Sequence, residues 1–109
     1  MSDLGQFEKA TQRVQAQLRD LRSQIEKETQ PWFSPDCRQA VKQSCTYLLK
    51  AETKLSKIPY LIEHGAKKKA AKMIRQTREL YNVSKNCWNM ALTREERFRI
   101  QIAQEVMDA

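Results

Sequence analysis

Glycine is nearly missing from this 109-residue sequence, which has two, and proline occurs three times. Hairpin-rich β folds and phosphate-cradling loops depend on glycine at turns, so both are disfavoured from the outset. There is one histidine, His64, and no cluster of carboxylates. Acid–base catalysis needs convergent groups of tuned proton affinity, so no catalytic residue is assigned and no enzymatic activity is expected. The cysteines, Cys37, Cys45 and Cys87, are odd in number and lack CxxC or Cys/His spacing. That pattern argues against a disulfide framework and a zinc site, and neither metal nor cofactor is expected. The opening MSDLGQFEKA has no apolar signal core, and no run approaches the roughly 18 apolar residues that cross a bilayer. The expectation is a cytoplasmic chain without a membrane span or a small-molecule substrate.

What the sequence does contain is helix-forming residues and an uneven charge. Leu, Ala, Glu, Gln, Lys and Arg dominate, which predicts an all-α fold in a single domain, residues 1–109. The net charge is +7, yet residues 37–78 hold 11 cations against 2 acids, while the segments on either side are each close to neutral. A block of that kind repels itself, and a polyanion is its natural complement.

Apolar residues at Leu4, Phe7, Val14, Leu18, Leu21 and Ile25, with Thr11 in the missing position, alternate by threes and fours and predict a first helix over 3–29, started by Ser2 or Asp3. Pro31 and Pro35 bracket a turn in which Trp32 and Phe33 are expected to plug the core. Ser34, Pro35 and Asp36 read as N-cap, first helical position and first-turn acid of a second helix over 35–58. Its seam, Cys37, Val41, Ser44, Leu48, Ala51, Leu55, Ile58 and Ile62, predicts an antiparallel hairpin with the first helix, with Pro59 kinking or ending it and Gly65 closing any further turn. A third helix over 66–92 carries apolar positions Ala70, Met73, Ile74, Leu80, Tyr81, Cys87, Trp88 and Ala91. The capping-box pattern Thr93 to Glu96 predicts a fourth over 93–107, burying Phe98, Ile102 and Val106. The architecture expected is a hairpin or bundle of three to four helices. Small residues Ser44, Ala51 and Thr11 in the seams further suggest an antiparallel homodimer.

The chemistry lies in the cations. Tyr47, Lys50, Lys54 and Lys57 share one face of the second helix, opposite the seam, and Arg38 and Lys42 extend the charge toward its start. The third helix opens with Lys67, Lys68 and Lys69, then Lys72 and Arg75, where cations oppose the helix dipole and are poorly placed for stability alone. Lysine is a point charge on a flexible stem, suited to phosphates rather than base edges. Sequence-independent nucleic-acid binding is therefore expected, its affinity falling steeply with salt.

The stretch CRQAVKQSCTYLLKAETKLSKIPYLI, residues 37–62, resembles the B2 family of insect-infecting nodaviruses, which are RNA-silencing suppressors. Leu48 falls on a core leucine of that family, Lys50 and Lys57 on basic positions that contact RNA phosphates, and Arg38 in a basic pair at the start of the same helix. Ser56 and Cys45 each match one branch of the family. Pro59 and the lysine-rich third helix depart from its pattern. The resemblance implies a viral dimer in the host cytoplasm that lies along double-stranded RNA and shields it from dicing. Two other readings stay open: a single-stranded DNA or replication-accessory protein in which Tyr47, Tyr60 and Tyr81 stack on bases, and a helical adaptor whose charge meets an acidic protein or membrane.

Overall fold

A computed structural model describes residues 2–108, with side chains from residue 5 onward. It contains three helices, α1 (Ser2–Glu28), α2 (Pro35–Glu63) and α3 (Lys67–Asp108), and no strand among the described residues. The expected cap at Ser2 or Asp3 and the seam residue Leu4 lie outside the described side chains. The shape is a rod of 69 × 19 × 18 Å, its length set by α3, whose 42 residues at about 1.5 Å each nearly span it.

The seams of α1 and α2 are buried as their spacing predicts. Val14, Leu18, Leu21 and Ile25 meet Cys37, Val41, Leu48 and Ala51, and Trp88 and Ala91 of α3 complete the core. Each fully buried leucine there contributes about 1.5–3 kcal/mol. Ser34 caps α2 by accepting from the Cys37 amide at 3.2 Å, with Pro35 in the first turn. At the other end Gly65 adopts φ +71°, Gly65 N donates to Ile62 O, and Ala66 N donates to Leu61 O, which together form a Schellman closure.

Pairing differs from expectation. The most extensive contact is between α2 and α3, and α1 packs more lightly on both. The reason is a close approach of small residues. Ser44 Oγ donates to Ser84 O at 2.8 Å and Ser84 Oγ donates to Ser44 O at 2.7 Å, both residues fully buried. Ser44, one of the small residues of the α2 seam, thus admits α3, and Thr11 of the α1 seam turns its hydroxyl back to Phe7 O at 2.7 Å.

Four further expectations are corrected. The break at residues 92–93 does not occur: α3 is continuous, Thr93 Oγ1 donates within the helix to Asn89 O, and Glu95 is buried with its carboxylate accepting from Ser34 N at 3.0 Å. No glycine or proline precedes Thr93 to stop the helix. Pro59 sits inside α2, which does not end at residue 58 but runs on to Glu63, so of the two outcomes expected at this proline the ending does not occur. Trp32 is 64 % exposed, and Phe33 alone plugs the turn. Phe98, Ile102 and Val106 are exposed rather than buried: Phe98 borders a cleft with Pro35 and Asp36 at the start of α2, and exposure rises toward Val106 as α3 continues beyond it.

Candidate nucleic-acid interface

The position of each cation follows from helix phase and from the cross-helix contacts. Glu52 of α2 meets α1 through Arg22, whose Nε donates to Glu52 Oε2 at 2.7 Å while its Nη2 pairs with Oε1. That bond holds the Arg22 guanidinium above its usual pKa, against the opposing effect of burial. On the other flank, Lys54 Nζ donates to Gln76 Oε1 of α3 at 3.3 Å. These two contacts fix which side of α2 faces α1 and which overlooks α3.

Lys50, Lys54, Lys57 and Leu61 share the flank away from α1 at about 100° per residue, and Tyr47 lies on it half-buried. Across from them, Lys69 and Lys72 border a cleft of about 210 Å³ with Leu61, Met73 and Gln76. Two helices therefore present five lysines on one flank, from Lys69 beside the α2–α3 turn to Lys50, about 20 Å back along α2. Lys50 lies about 10 Å from Lys57 along α2, and the axis of α3, which carries the second row, runs about 8–10 Å from that of α2. Lys54 is half-buried and leans onto α3, so it does not project straight outward with Lys50 and Lys57 as expected.

The two acids of the basic segment lie elsewhere. Glu52 is tied to Arg22, and Glu63 borders a cleft with Glu8, Thr11, Gln12, Pro59 and Ile62, on the α1 side. Lys50, Lys57, Lys69 and Lys72 are exposed and make no ion pair with any described residue. The Lys50 ammonium instead rests over the Tyr47 ring, 5.4 Å from its centre, an attraction that leaves its charge uncompensated.

The remaining candidates are not part of this surface. Arg38 and Lys42 are exposed but lie about 18 and 12 Å back along α2 from Lys50, rotated by about 120° and 80°. Lys67 and Lys68 turn toward α1, bordering a cleft with Phe7, Ala10, Ile74 and Arg78. The lysine triplet is thus divided between the two sides of α3, and Arg75 is exposed on its outer face. Leu61, Met73 and Gln76, which floor the patch, carry no charge pattern that would have marked them in the sequence. Of the other aromatics, Tyr60 is 63 % exposed and stacks on His64 with ring centres 4.0 Å apart, and the His64 ring Nδ1 lies 2.9 Å from Tyr60 O.

Among the described residues no group of three or more metal-ligating side chains comes together, and no helix is long and apolar enough to cross a membrane. No protein-family model, curated protein or solved structure matches the chain.

Proposed function

We propose that this protein binds the phosphate backbone of double-stranded RNA, without regard to sequence, through the surface formed by Lys50, Lys54, Lys57, Lys69 and Lys72. The observation that carries the reading is charge segregation: both acids of the basic segment face α1, and the lysines from two helices gather on the α1-free flank without carboxylate partners. A surface of that kind has unspent Coulomb energy, which phosphates recover while releasing their condensed counterions. Lysines without a planar fork do not read base edges, so sequence is ignored.

Rigidity favours a duplex. The patch is carried by two packed helices, and its own aromatic, Tyr47, is half-buried beneath Lys50 and offers no open ring for a base. The preference for RNA over DNA rests on the resemblance of residues 37–62 to the nodavirus suppressors, whose duplex-contacting positions coincide with Lys50 and Lys57. Bound lysines would follow phosphates and 2′-hydroxyls across the shallow minor groove of A-form RNA. The action is steric, with no bond made or broken: an occupied duplex is closed to a dicing nuclease in the cytoplasm.

A second reading has one observation in its favour. The exposed Tyr60–His64 stack stands one turn beyond Lys57 and could accept an unpaired base, which suits a single strand. Mobility shifts with matched duplex RNA, duplex DNA and single strands separate the readings. Duplex RNA is expected to bind tightest and equally for unrelated sequences. A preference for single strands that disappears with Tyr60→Ala would favour the second reading, and no binding to any of them at moderate salt would reject both.

A further inference from the structure

Along its first half α1 has a cleft on each flank, and the two differ in sign. Toward α2, Glu8 and Glu63 border a cleft of about 380 Å³ over Pro59 and Ile62, with no cation among the described residues that line it. Toward α3 the cleft is about 460 Å³, and the charged residues that line it are Lys67, Lys68 and Arg78, with no acid among them. Lys67, Ala71, Ile74 and Arg78 recur by fours and threes, so one face of α3 carries both cations and floor, and Phe7 and Ala10 of α1 form the opposite wall. Lys68 and Arg78 are exposed and make no ion pair with any described residue. The cleft within the lysine patch on the other flank of α3 is about 210 Å³, so this one has more than twice the room.

We propose that the α1–α3 cleft binds a long-chain carboxylate, its head on Arg78 and its acyl chain lying over Ile74 and Ala71 toward the α2–α3 turn. Each half of that ligand answers to something in the cleft. A small anion has no use for an apolar floor, and a neutral hydrocarbon has none for a rim of cations. Arg78 offers a planar fork that pairs with both oxygens of a carboxylate. At the other end the methylene stem of Lys68 lengthens the apolar wall. From Arg78 to Lys67 the face runs about 16 Å along α3, which at the roughly 3.5 Å per three bonds of an extended chain holds about twelve carbons. The volume falls within the range of about 300–1,000 Å³ that takes small molecules, whereas a partner helix, about 10 Å across, would overfill it. The acid-rimmed cleft on the other flank of α1 has the wrong sign for the same ligand.

Isothermal titration calorimetry of the full chain with laurate, kept below the concentration at which it forms micelles, tests this without reference to nucleic acid. One laurate per chain is expected, with a Kd on the order of 10 μM. Butyrate, which lacks the chain, and dodecyl maltoside, which lacks the charge, are each expected to bind at least tenfold more weakly. Arg78→Gln is expected to weaken laurate binding at least tenfold, and Ala71→Trp, which fills the exposed floor, to abolish it, both with helical circular dichroism retained. Arg38→Gln, which removes the same charge from the far end of α2, is expected to leave laurate binding unchanged. No binding to the native chain, several laurates per chain, equal binding of dodecyl maltoside, or an equal loss in Arg38→Gln and Arg78→Gln would overturn the proposal.

Discussion

Ser44 and Ser84 offer the sharpest test of how α2 and α3 are held together. Each hydroxyl has one proton and gives it to the other residue's carbonyl, at 2.8 and 2.7 Å, so the 3.1 Å approach of the two oxygens adds no hydrogen bond of its own. Ser44→Ala removes one bond directly and costs about 1–1.5 kcal/mol, with the packing gap adding little because the residue is small. Ser84→Ala should cost the same. The double variant should cost less than the sum, because the two oxygens' mutual approach and the shared desolvation disappear together, leaving a coupling of about 0.5 kcal/mol or more between contacting residues. Ser44→Leu is different in kind: it forces the helices apart at a site with no exposed surface and should cost about 3 kcal/mol or more. Urea denaturation followed by circular dichroism measures all four. Ser44→Leu at wild-type stability would show that α2 and α3 do not meet at this point and would undo the pairing described here.

Two other consequences are open to direct measurement. Pro59 lies inside α2 with its side chain in solvent and no amide to give Leu55 O, so Pro59→Ala should stabilise the protein by about 1–3 kcal/mol, seen as a higher midpoint in thermal melts. The Cys37 thiol is pushed up to about 11 by burial and then by the nearby Glu95 charge, from an ordinary value of 9.0. The unfolded thiol ionises first, so the stability tied to keeping Cys37 neutral is complete below pH 9 and is lost as pH rises toward 11. Over that window the native protein should lose up to about 2–3 kcal/mol more than Cys37→Ala does, compared by denaturation at each pH.

The helices and two of their seams were legible because periodicity is a local property: Val14 to Ile25 and, with Leu55 and Ile62 only half-buried, Cys37 to Ile58 bury as spaced, and Ser34, Pro35 and Gly65 mark their ends by the chemistry of capping. Which seams meet was not legible. The face of α3 that enters the core includes Thr77, Ser84 and Glu95, polar residues that a search for apolar periodicity passes over, while Met73, Leu80, Tyr81 and Cys87, which it selects, are only half-buried. The serine pair explains the first case and the Ser34 amide explains Glu95. Thr93 and Glu96 have the spacing of a capping box, yet nothing before them breaks the helix, and a pattern of side chains cannot by itself stop a chain of Asn, Met, Ala and Leu from remaining helical.

The basic surface was half-legible. Lys50 and Lys57 could be placed together from one helix, and the phase of that helix alone turns Arg38 and Lys42 away from them, but joining them to Lys69 and Lys72, and separating Lys67 and Lys68, required knowing that α3 folds back beside α2 and that α1 lies on the other flank. The end of α3 was not legible for a related reason. Phe98, Ile102 and Val106 have the spacing of a buried face, and how far each is covered depends on where α2 begins beside them, which no window within α3 contains.

The salt dependence of duplex RNA binding, followed by fluorescence anisotropy, tests the central claim most directly. With four to five lysines on phosphates, log K should fall against log salt concentration with a slope of about −4, and Lys57→Gln with Lys72→Gln should flatten it by about 2. Arg38→Gln with Lys42→Gln should leave the slope as it was. An equal flattening by both pairs would mean diffuse attraction to net charge, and an unchanged slope in the Lys57 and Lys72 variant would show that the phosphates lie elsewhere.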